Sequence, residues 1–387
     1  MPQRHAPGSV RDSVLSHLAG RTIASVREIH EAVEDQLGSP VPASSIRSCL
    51  RLNEGRALYQ VGRGQYSLTQ DCPTQPPHVD PPPVGELAAS WGNVKLVRAD
   101  CLEFLRSQSI NTFHGVVTDP PYGLVEYSAT EQRKLRSGTG GVWRIPPSFD
   151  GHVRSPLPRF TTLDKTDLGN LETFFAQWAN ALYPTLVPGA HVVVASNPLL
   201  SFIVSGSLAR SGFERRGEIV RLVMTMRGGD RPKNAHEEFP HVTVMPRSMW
   251  EPWLVFRKPI HGRVQDNLRL WKTGGFRRPS AERPFGDVIA SRPASPNERR
   301  LAPHPSLKPQ EFLRQVVRAI LPLGEGTVLD PFAGSGSTLA AAIAVGYSAV
   351  GVEVDPFYVD MAKSAVANLA ALKVPGELTR PIHPVRP

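Results

Sequence analysis

The sequence predicts an α/β fold: a doubly wound, mostly parallel sheet preceded by a small, separate N-terminal domain. Three observations predict it. From about residue 91, near-continuous apolar runs of strand length alternate with amphipathic helical ones, the pattern of strands covered on both faces. The apolar run Thr327-Val328-Leu329 feeds a small-residue loop, DPFAGSGST (330–338), which opens a helix. The stretch Asp71–Gly85 holds six prolines in fifteen residues; fixed φ and missing donors make it a semi-rigid linker between two domains.

The elements follow in order. Val10, Val14, Leu15 and Leu18 recur at helical spacing. Ser25 with Glu28 forms a capping box, and Val26, Ile29, Val33 and Leu37 continue that second helix. A third helix runs from about Ala43 to Asn53 and ends by Gly55. Ala57–Val61 and Gln65–Leu68 flank Gly62-Arg63-Gly64 as a hairpin. This order resembles a winged helix-turn-helix module, and the resemblance implies DNA contact through Arg47 and Arg51 on the third helix and Arg63 at the wing tip. The alternative is a docking or dimerisation module.

In the second domain, strands are expected at Val94–Val97, Gly115–Thr118, His191–Ala195, Thr327–Leu329 and Ala349–Val354. Helices are expected at Leu102–Arg106, Leu171–Leu186, Phe312–Leu321 and Thr338–Val345, the last capped by Gly346. Pro356 opens a final helix at its first position. The predicted organisation is 1–70, a linker at 71–90, a block at 91–258, a basic stretch at 259–303, a block at 304–372 and a tail at 373–387.

Composition narrows the partners. The 387 residues carry a net charge of +9, which favours polyanions, nucleic acid first. Cys49, Cys72 and Cys101 show no CxxC spacing, which points to a reducing compartment and away from zinc or disulfides. No signal peptide opens the chain and no apolar run nears the roughly 20 residues of a membrane span, so a cytoplasmic protein without a membrane or metal is expected.

Two loops carry the chemistry. DPPYGL (119–124) follows the strand Gly115–Thr118 and presents a carboxylate, two prolines and an aromatic ring. DPFAGSGST lets a backbone approach a ligand closely at a helix N-terminus. It is not the GxGxxG fingerprint, since the third glycine is missing and Asp330 leads the loop. The next strand ends in Glu353, within GVEVDP, about 20 positions on, where an acidic residue suits a ribose diol. An aspartate opening the loop suits a ligand with a positive end. S-adenosylmethionine has both.

These motifs resemble those of the DNA amino-methyltransferases, over about residues 91–372. Ala99-Asp100-Cys101-Leu102 is similar to the segment of that family that holds the cofactor adenine, and His304–Pro309 (HPSLKP) to its HPxxKP element. With DPPY ahead of the glycine loop, the order is that of the beta group. The resemblance implies a Rossmann-like methyltransferase fold with S-adenosylmethionine as cofactor. Asp330 then lies near the methionine amino group and Lys308 near its carboxylate. Phe332, Gly334 and Ser335 line that pocket, Asp100 and Cys101 meet the adenine, and Glu353 meets the ribose. It implies double-stranded DNA as substrate and a homodimer; a cleavage partner would be a separate restriction endonuclease, the alternative being a solitary regulator, and location on the nucleoid follows.

The catalytic logic of Asp119, Pro120, Pro121 and Tyr122 follows from the target. An exocyclic amino group is a poor nucleophile because its lone pair is delocalised into the ring. The Asp119 carboxylate and the Pro120 carbonyl can each accept one N–H bond, which favours a tetrahedral nitrogen. The prolines stiffen the loop and Tyr122 can stack on a base held outside the helix. In the family, Asp at the first position is more usual for adenine N6 and Ser for cytosine N4, so adenine is expected, with cytosine N4 the alternative.

The stretch 259–303 has nine Lys and Arg against four acids, a net of +5. By resemblance it is the target recognition region, with Arg269, Lys272, Arg277 and Arg278 as expected DNA contacts. Trp250-Glu251 stands where the family usually carries His-Glu, which leaves Glu251 without an assigned role. The long insert Val125–Asn170 reads as a DNA-ordered loop or a lid. Rival readings are a non-catalytic winged-helix regulator and an RNA methyltransferase.

Overall fold

The computed structural model describes residues 9–19, 24–53, 58–62, 65–68, 84–121, 148–149, 152–153, 165–223, 229, 231–232, 235–304 and 306–374. Tyr122, Arg63, Cys72, most of the linker and most of the 125–170 insert lie outside these residues. The chain forms two compact units, Met1–Val79 and Asp80–Pro387.

The first unit holds α1 (Ser9–Ala19), β1 (Ala24–Ser25), α2 (Val26–Leu37), α3 (Ala43–Asn53), β2 (Tyr59–Gly62) and β3 (Gln65–Ser67). The strands form an antiparallel sheet in the order β1-β3-β2. The expected capping box is present: the Glu28 amide donates to Ser25 Oγ at 3.3 Å, and the Ser25 amide donates to Glu28 Oε2 at 2.7 Å. Val14, Ile29, Val33, Ile46 and Leu50 bury the helices against one another. That packing leaves Arg47 and Arg51 exposed on α3.

The second unit contains β4 (Glu86–Trp91), β5 (Val94–Arg98), α4 (Cys101–Arg106), β6 (Phe113–Thr118), the short β7 (Ser148–Phe149) and β8 (His152–Val153), α5 (Lys165–Thr185), β9 (Leu186–Ala195), α6 (Ser201–Arg210), β10 (Glu214–Leu222) and β11 (Trp250–Arg257). It continues with α7 (Val264–Trp271), β12 (Val288–Ala290), α8 (Pro296–Leu301), α9 (Gln310–Ile320), β13 (Thr327–Asp330), α10 (Ser337–Val345), β14 (Ser348–Glu353) and α11 (Pro356–Ala370). Nine strands make one mixed sheet in the order β12-β10-β11-β9-β6-β13-β14-β5-β4. The run from β9 to β5 is parallel throughout; β4 and β11 are antiparallel to it.

Alternation in the strands divides the core. Val116, Val192, Val194 and Leu329 face Phe104, Phe175 and Val204 of α4, α5 and α6. Val117, Val193 and Val328 face Phe312, Leu339 and Val366 of α9, α10 and α11. All the strands expected in this unit form, and β5, β6, β9 and β13 extend beyond their predicted apolar cores.

The predicted linker of 71–90 is too long. Glu86–Trp91 pairs with β5 across a two-residue turn, Trp91 opposite Val94. The signal was Gly92-Asn93: Gly92 takes φ +61°, which a tight hairpin demands and glycine tolerates without strain.

Sheet order explains where a ligand can sit. From β6 the chain leads to β9 on one side, and from β13 to β14 on the other. The point between β6 and β13 is therefore a topological switch, and ligands of such sheets bind outside the carboxyl ends there.

Candidate active site

Four parallel strands deliver the predicted residues to one edge. β6 ends at Thr118 and hands over Asp119, Pro120 and Pro121; β13 ends at Asp330 and hands over Phe332, Gly334 and Ser335; β14 ends at Glu353; β5 leads to Asp100 and Cys101. Thr118 Oγ1 donates to Asp330 Oδ1 at 2.6 Å, which ties the two motif loops together across the switch point.

Asp330 is 3% exposed. Burial lifts its carboxyl from an ordinary 3.8 to about 6, against the hydrogen bonds from Thr118, Thr338 and the Phe332 amide. Among the described residues no Lys or Arg pairs with it. A buried carboxylate held only by neutral donors is a good seat for a cation, such as the ammonium of a methionine moiety. Phe332 lies half-buried beside it against Phe174 and Trp178, with ring centres 6.1 and 5.8 Å away. Gly336 takes φ +80°, and a Cβ there would collide with Val366 of α11, so the loop runs tight over that helix.

Glu353 accepts the Gly334 amide at 2.8 Å and the Asp355 amide at 2.9 Å, one on each carboxylate oxygen. A carboxylate offers about four lone-pair sites, so acceptor capacity remains for a diol partner. Burial raises the Glu353 pKa. One strand away, Asp100 caps α4 by accepting the Leu102 and Glu103 amides at 2.8 and 3.1 Å. Cys101 is buried; burial first, then Asp100, pushes its thiol up to about 12, so it serves as a small apolar surface. The Ala99 amide donates to the Glu353 carbonyl at 3.1 Å, closing this side of the cleft. These residues fit S-adenosylmethionine: an acidic seat, a diol partner and a close-approach loop lie along one edge.

Lys308 departs from expectation. Its Nζ donates to Asp119 Oδ2 at 2.6 Å and lies 3.3 Å from Glu251 Oε1. An ammonium only 8% exposed needs opposite charge, and two carboxylates supply it. Burial works against its charged form, but Asp119 and Glu251 outweigh burial and raise its pKa. Glu251, left without a role by the sequence, sits at the centre of the cluster. It also accepts Arg221 Nη1 at 3.0 Å and Trp253 Nε1 at 3.1 Å. Burial would raise its pKa; Lys308 and Arg221 bring it down to about 2. The available signal was an acid among the apolar residues at the start of the strand WEPWLVFR, where a buried charge demands partners.

His304 is a second residue that sequence reasoning left without a role. Its Nδ1 accepts the Ser306 amide at 3.1 Å. Burial and then Lys308 lower its pKa to about 4, so the neutral ring carries its proton on Nε2, the atom nearest a Cβ built on Gly334.

The structure does not bring Arg269, Lys272, Arg277 and Arg278 to this edge. β11 runs antiparallel to β9, so the chain leaves it at the amino edge of the sheet. There Asn267 of α7 donates to the Pro188 carbonyl at the start of β9, at 3.1 Å. Arg277 Nη1 donates to Tyr347 Oη at 2.8 Å, just before β14, and the carbonyl of Arg278 accepts Arg318 of α9 at 3.0 Å. Arg269 pairs with Asp266 at 2.9 Å in solvent, and Lys272 ends α7 at φ +63°. Strands of six residues separate the edges by about 20 Å. The return leg is β12, parallel to β10, which brings Ser291 and Arg292 back to the carboxyl edge. Arg292, Arg299 and Arg300 lie on the leg from there to His304, all three exposed.

A family model described as DNA methylase, for N6 and N4 enzymes, matches residues 113–364. The chain is 22% identical over 285 residues to the type II methyltransferase M.HindIII of Haemophilus influenzae, covering 67% of this chain and 90% of that one. It is 43% identical over 58 residues to the DNA adenine methyltransferase YhdJ of Escherichia coli, 15% of this chain and 19% of that one. A crystal structure of a Thermus thermophilus protein, described as a putative DNA modification methylase complexed with S-adenosyl-L-methionine, matches 71% of this chain and 93% of its own at 21% identity and a TM-score of 0.44.

Proposed function

Because the chain belongs to the N6/N4 family of DNA methylases, we propose that it methylates the exocyclic N6 of adenine at a specific site in duplex DNA, on a base turned out of the helix. It is a DNA methyltransferase, and S-adenosylmethionine is its cofactor. The observation that carries the adenine reading is Asp119 at the head of the DPPY loop, on the switch-point edge with Asp330 and Glu353. The local likeness to a DNA adenine methyltransferase supports it.

S-adenosylmethionine supplies a methyl group made electrophilic by its sulfonium. The protein's part is positioning and electrostatics. Asp119 and the Pro120 carbonyl accept the two amino protons of the target base. Pro120 and Pro121 hold that geometry, and Tyr122 stacks on the base. Asp330 seats the methionine ammonium, Glu353 the ribose, and Asp100 with Cys101 the adenine.

Arg292, Arg299 and Arg300 are the basic side chains best placed to meet the duplex at this edge. The helix order of residues 1–70 supports winged-helix DNA contact through Arg47 and Arg51. A DNA substrate makes the cytoplasm the expected location, with a homodimer and a separate restriction endonuclease as partners to test by sedimentation and co-purification.

The deciding experiment identifies the product. The protein is incubated with duplex DNA and S-adenosylmethionine carrying a labelled methyl, the DNA is digested, and nucleosides are read by mass spectrometry. Labelled N6-methyladenine is expected. Labelled N4-methylcytosine would overturn the base assignment and keep the mechanism. Label appearing only in RNA would overturn the substrate.

A further inference from the structure

Lys308 stands between two carboxylates, and only one belongs to the DPPY loop. We propose that Glu251 is a positioning residue for methyl transfer, acting through Lys308 to set how firmly that ammonium holds Asp119. The inference rests on the reading of Asp119 as acceptor for the target amino group.

The geometry is specific. Lys308 Nζ lies 2.6 Å from Asp119 Oδ2 and 3.3 Å from Glu251 Oε1. Glu251 is fixed from its other side. Arg221 is its direct cross-strand partner, β10 against β11, and reaches Oε2 at 3.0 Å; Trp253 Nε1 reaches the same oxygen at 3.1 Å. That leaves Oε1 as the oxygen turned to Lys308. Arg221 is fixed in turn. Its Nε donates to Ser291 Oγ at 3.0 Å, its Nη2 to the Arg292 carbonyl at 3.0 Å, and its guanidinium lies over the Phe312 ring at 5.4 Å.

A target amino group must use Asp119 as acceptor while Lys308 already donates to it. An ammonium can swing among acceptors, and Glu251 is a rigid second anion within reach. As the amino group arrives, Lys308 shifts its weight to Glu251 and Asp119 is released for the base. Without charge at 251, more of the Lys308 ammonium's attraction falls on Asp119, and the ammonium competes with the substrate. The far end of the relay touches Ser291 and Arg292, on the return leg of the basic segment, so the acceptor is mechanically linked to that segment.

The test uses the full chain, duplex DNA carrying the site the wild-type protein methylates, and single-turnover rates at saturating cofactor and DNA. S-adenosylmethionine affinity is measured separately by calorimetry. Glu251→Gln is expected to slow transfer by about 10- to 100-fold while cofactor affinity stays within about threefold. The double variant Glu251→Gln with Arg221→Met removes the buried pair together, so it guards against misfolding from a lone guanidinium. It is expected to be as slow as the single variant. A double variant that recovers the wild-type rate would mean Glu251 only partners Arg221, and the proposal falls. A Glu251→Gln rate within about twofold of wild type, or a loss confined to cofactor affinity, overturns it as well. Asp119→Ala separates the two readings. If it still transfers methyl at the wild-type rate, the active-site reading fails. If it is inactive while both 251 variants are normal, only this inference fails.

Discussion

Replacing Asp330 by Asn should make the protein more stable and a poorer binder of its cofactor. Asp330 is 3% exposed, and burial lifts its carboxyl from 3.8 to about 6. A carboxyl held higher in the folded chain than in the unfolded one keeps its proton longer when folded. Its favourable contribution is complete below 3.8, declines as pH rises, and is gone above about 6. At about 1.36 kcal/mol per pH unit, ionised Asp330 costs the fold about 3 kcal/mol at neutral pH. Asn removes that cost. Its Oδ1 can still accept from Thr118 and the Phe332 amide, and the Thr338 hydroxyl can turn to accept from Nδ2. Burying the amide takes back part of the gain, which leaves about 1–2 kcal/mol, or roughly 3–5 °C in Tm for a unit of this size. The gain should appear at about pH 8 and vanish at about pH 4. S-adenosylmethionine should bind about 10- to 100-fold more weakly, the loss of one charge-assisted contact of about 1.5–3 kcal/mol. Thermal melts across pH with calorimetric titration of the cofactor check both halves. A Tm lowered by more than about 5 °C in the alkaline range, with unchanged cofactor affinity, would show that Asp330 is held for packing and refute the reasoning.

Asp119→Ala should lower labelled methyl transfer by about 10³-fold or more with cofactor affinity within about threefold; equal loss of both would make it a cofactor or folding residue. Gly336→Ala should cost about 2–4 kcal/mol, because φ +80° strains an L residue and the new methyl meets Val366; a melt within about 2 °C of wild type would contradict the tight loop. Arg299→Ala and Arg300→Ala should each weaken duplex binding across sequences and reduce the slope of log affinity against log salt by about 1, whereas Arg277→Ala should leave the slope unchanged. Removing residues 1–70 should weaken DNA binding or change the oligomeric state while residues 80–387 keep a cooperative melt.

Much of this protein could be read along the chain. Apolar pattern alone located β6, β13 and β14, because strands buried on both faces are continuous apolar runs, and β5 by alternation, Val94 and Leu96 buried around an exposed Lys95; the loops at their ends carry residues whose type reports chemistry: Asp119, Asp330 and Glu353. The capping box at Ser25 and the helix start at Pro356 were legible for the same reason, since their contacts are local in sequence. The β4 hairpin was legible too, in Gly92-Asn93. Other features depend on pairs far apart in sequence. The partner of Lys308 is Asp119, 189 positions away. A buried ammonium settles on whichever anions the packing brings near, so no local pattern could choose Asp119 and Glu251 over a ligand. Which basic residues of 259–303 share an edge with the active site was likewise decided by strand direction: β11 carries the chain to the amino edge and β12 carries it back. Charge count cannot see direction, because it is a sum and direction is a property of the folded sheet.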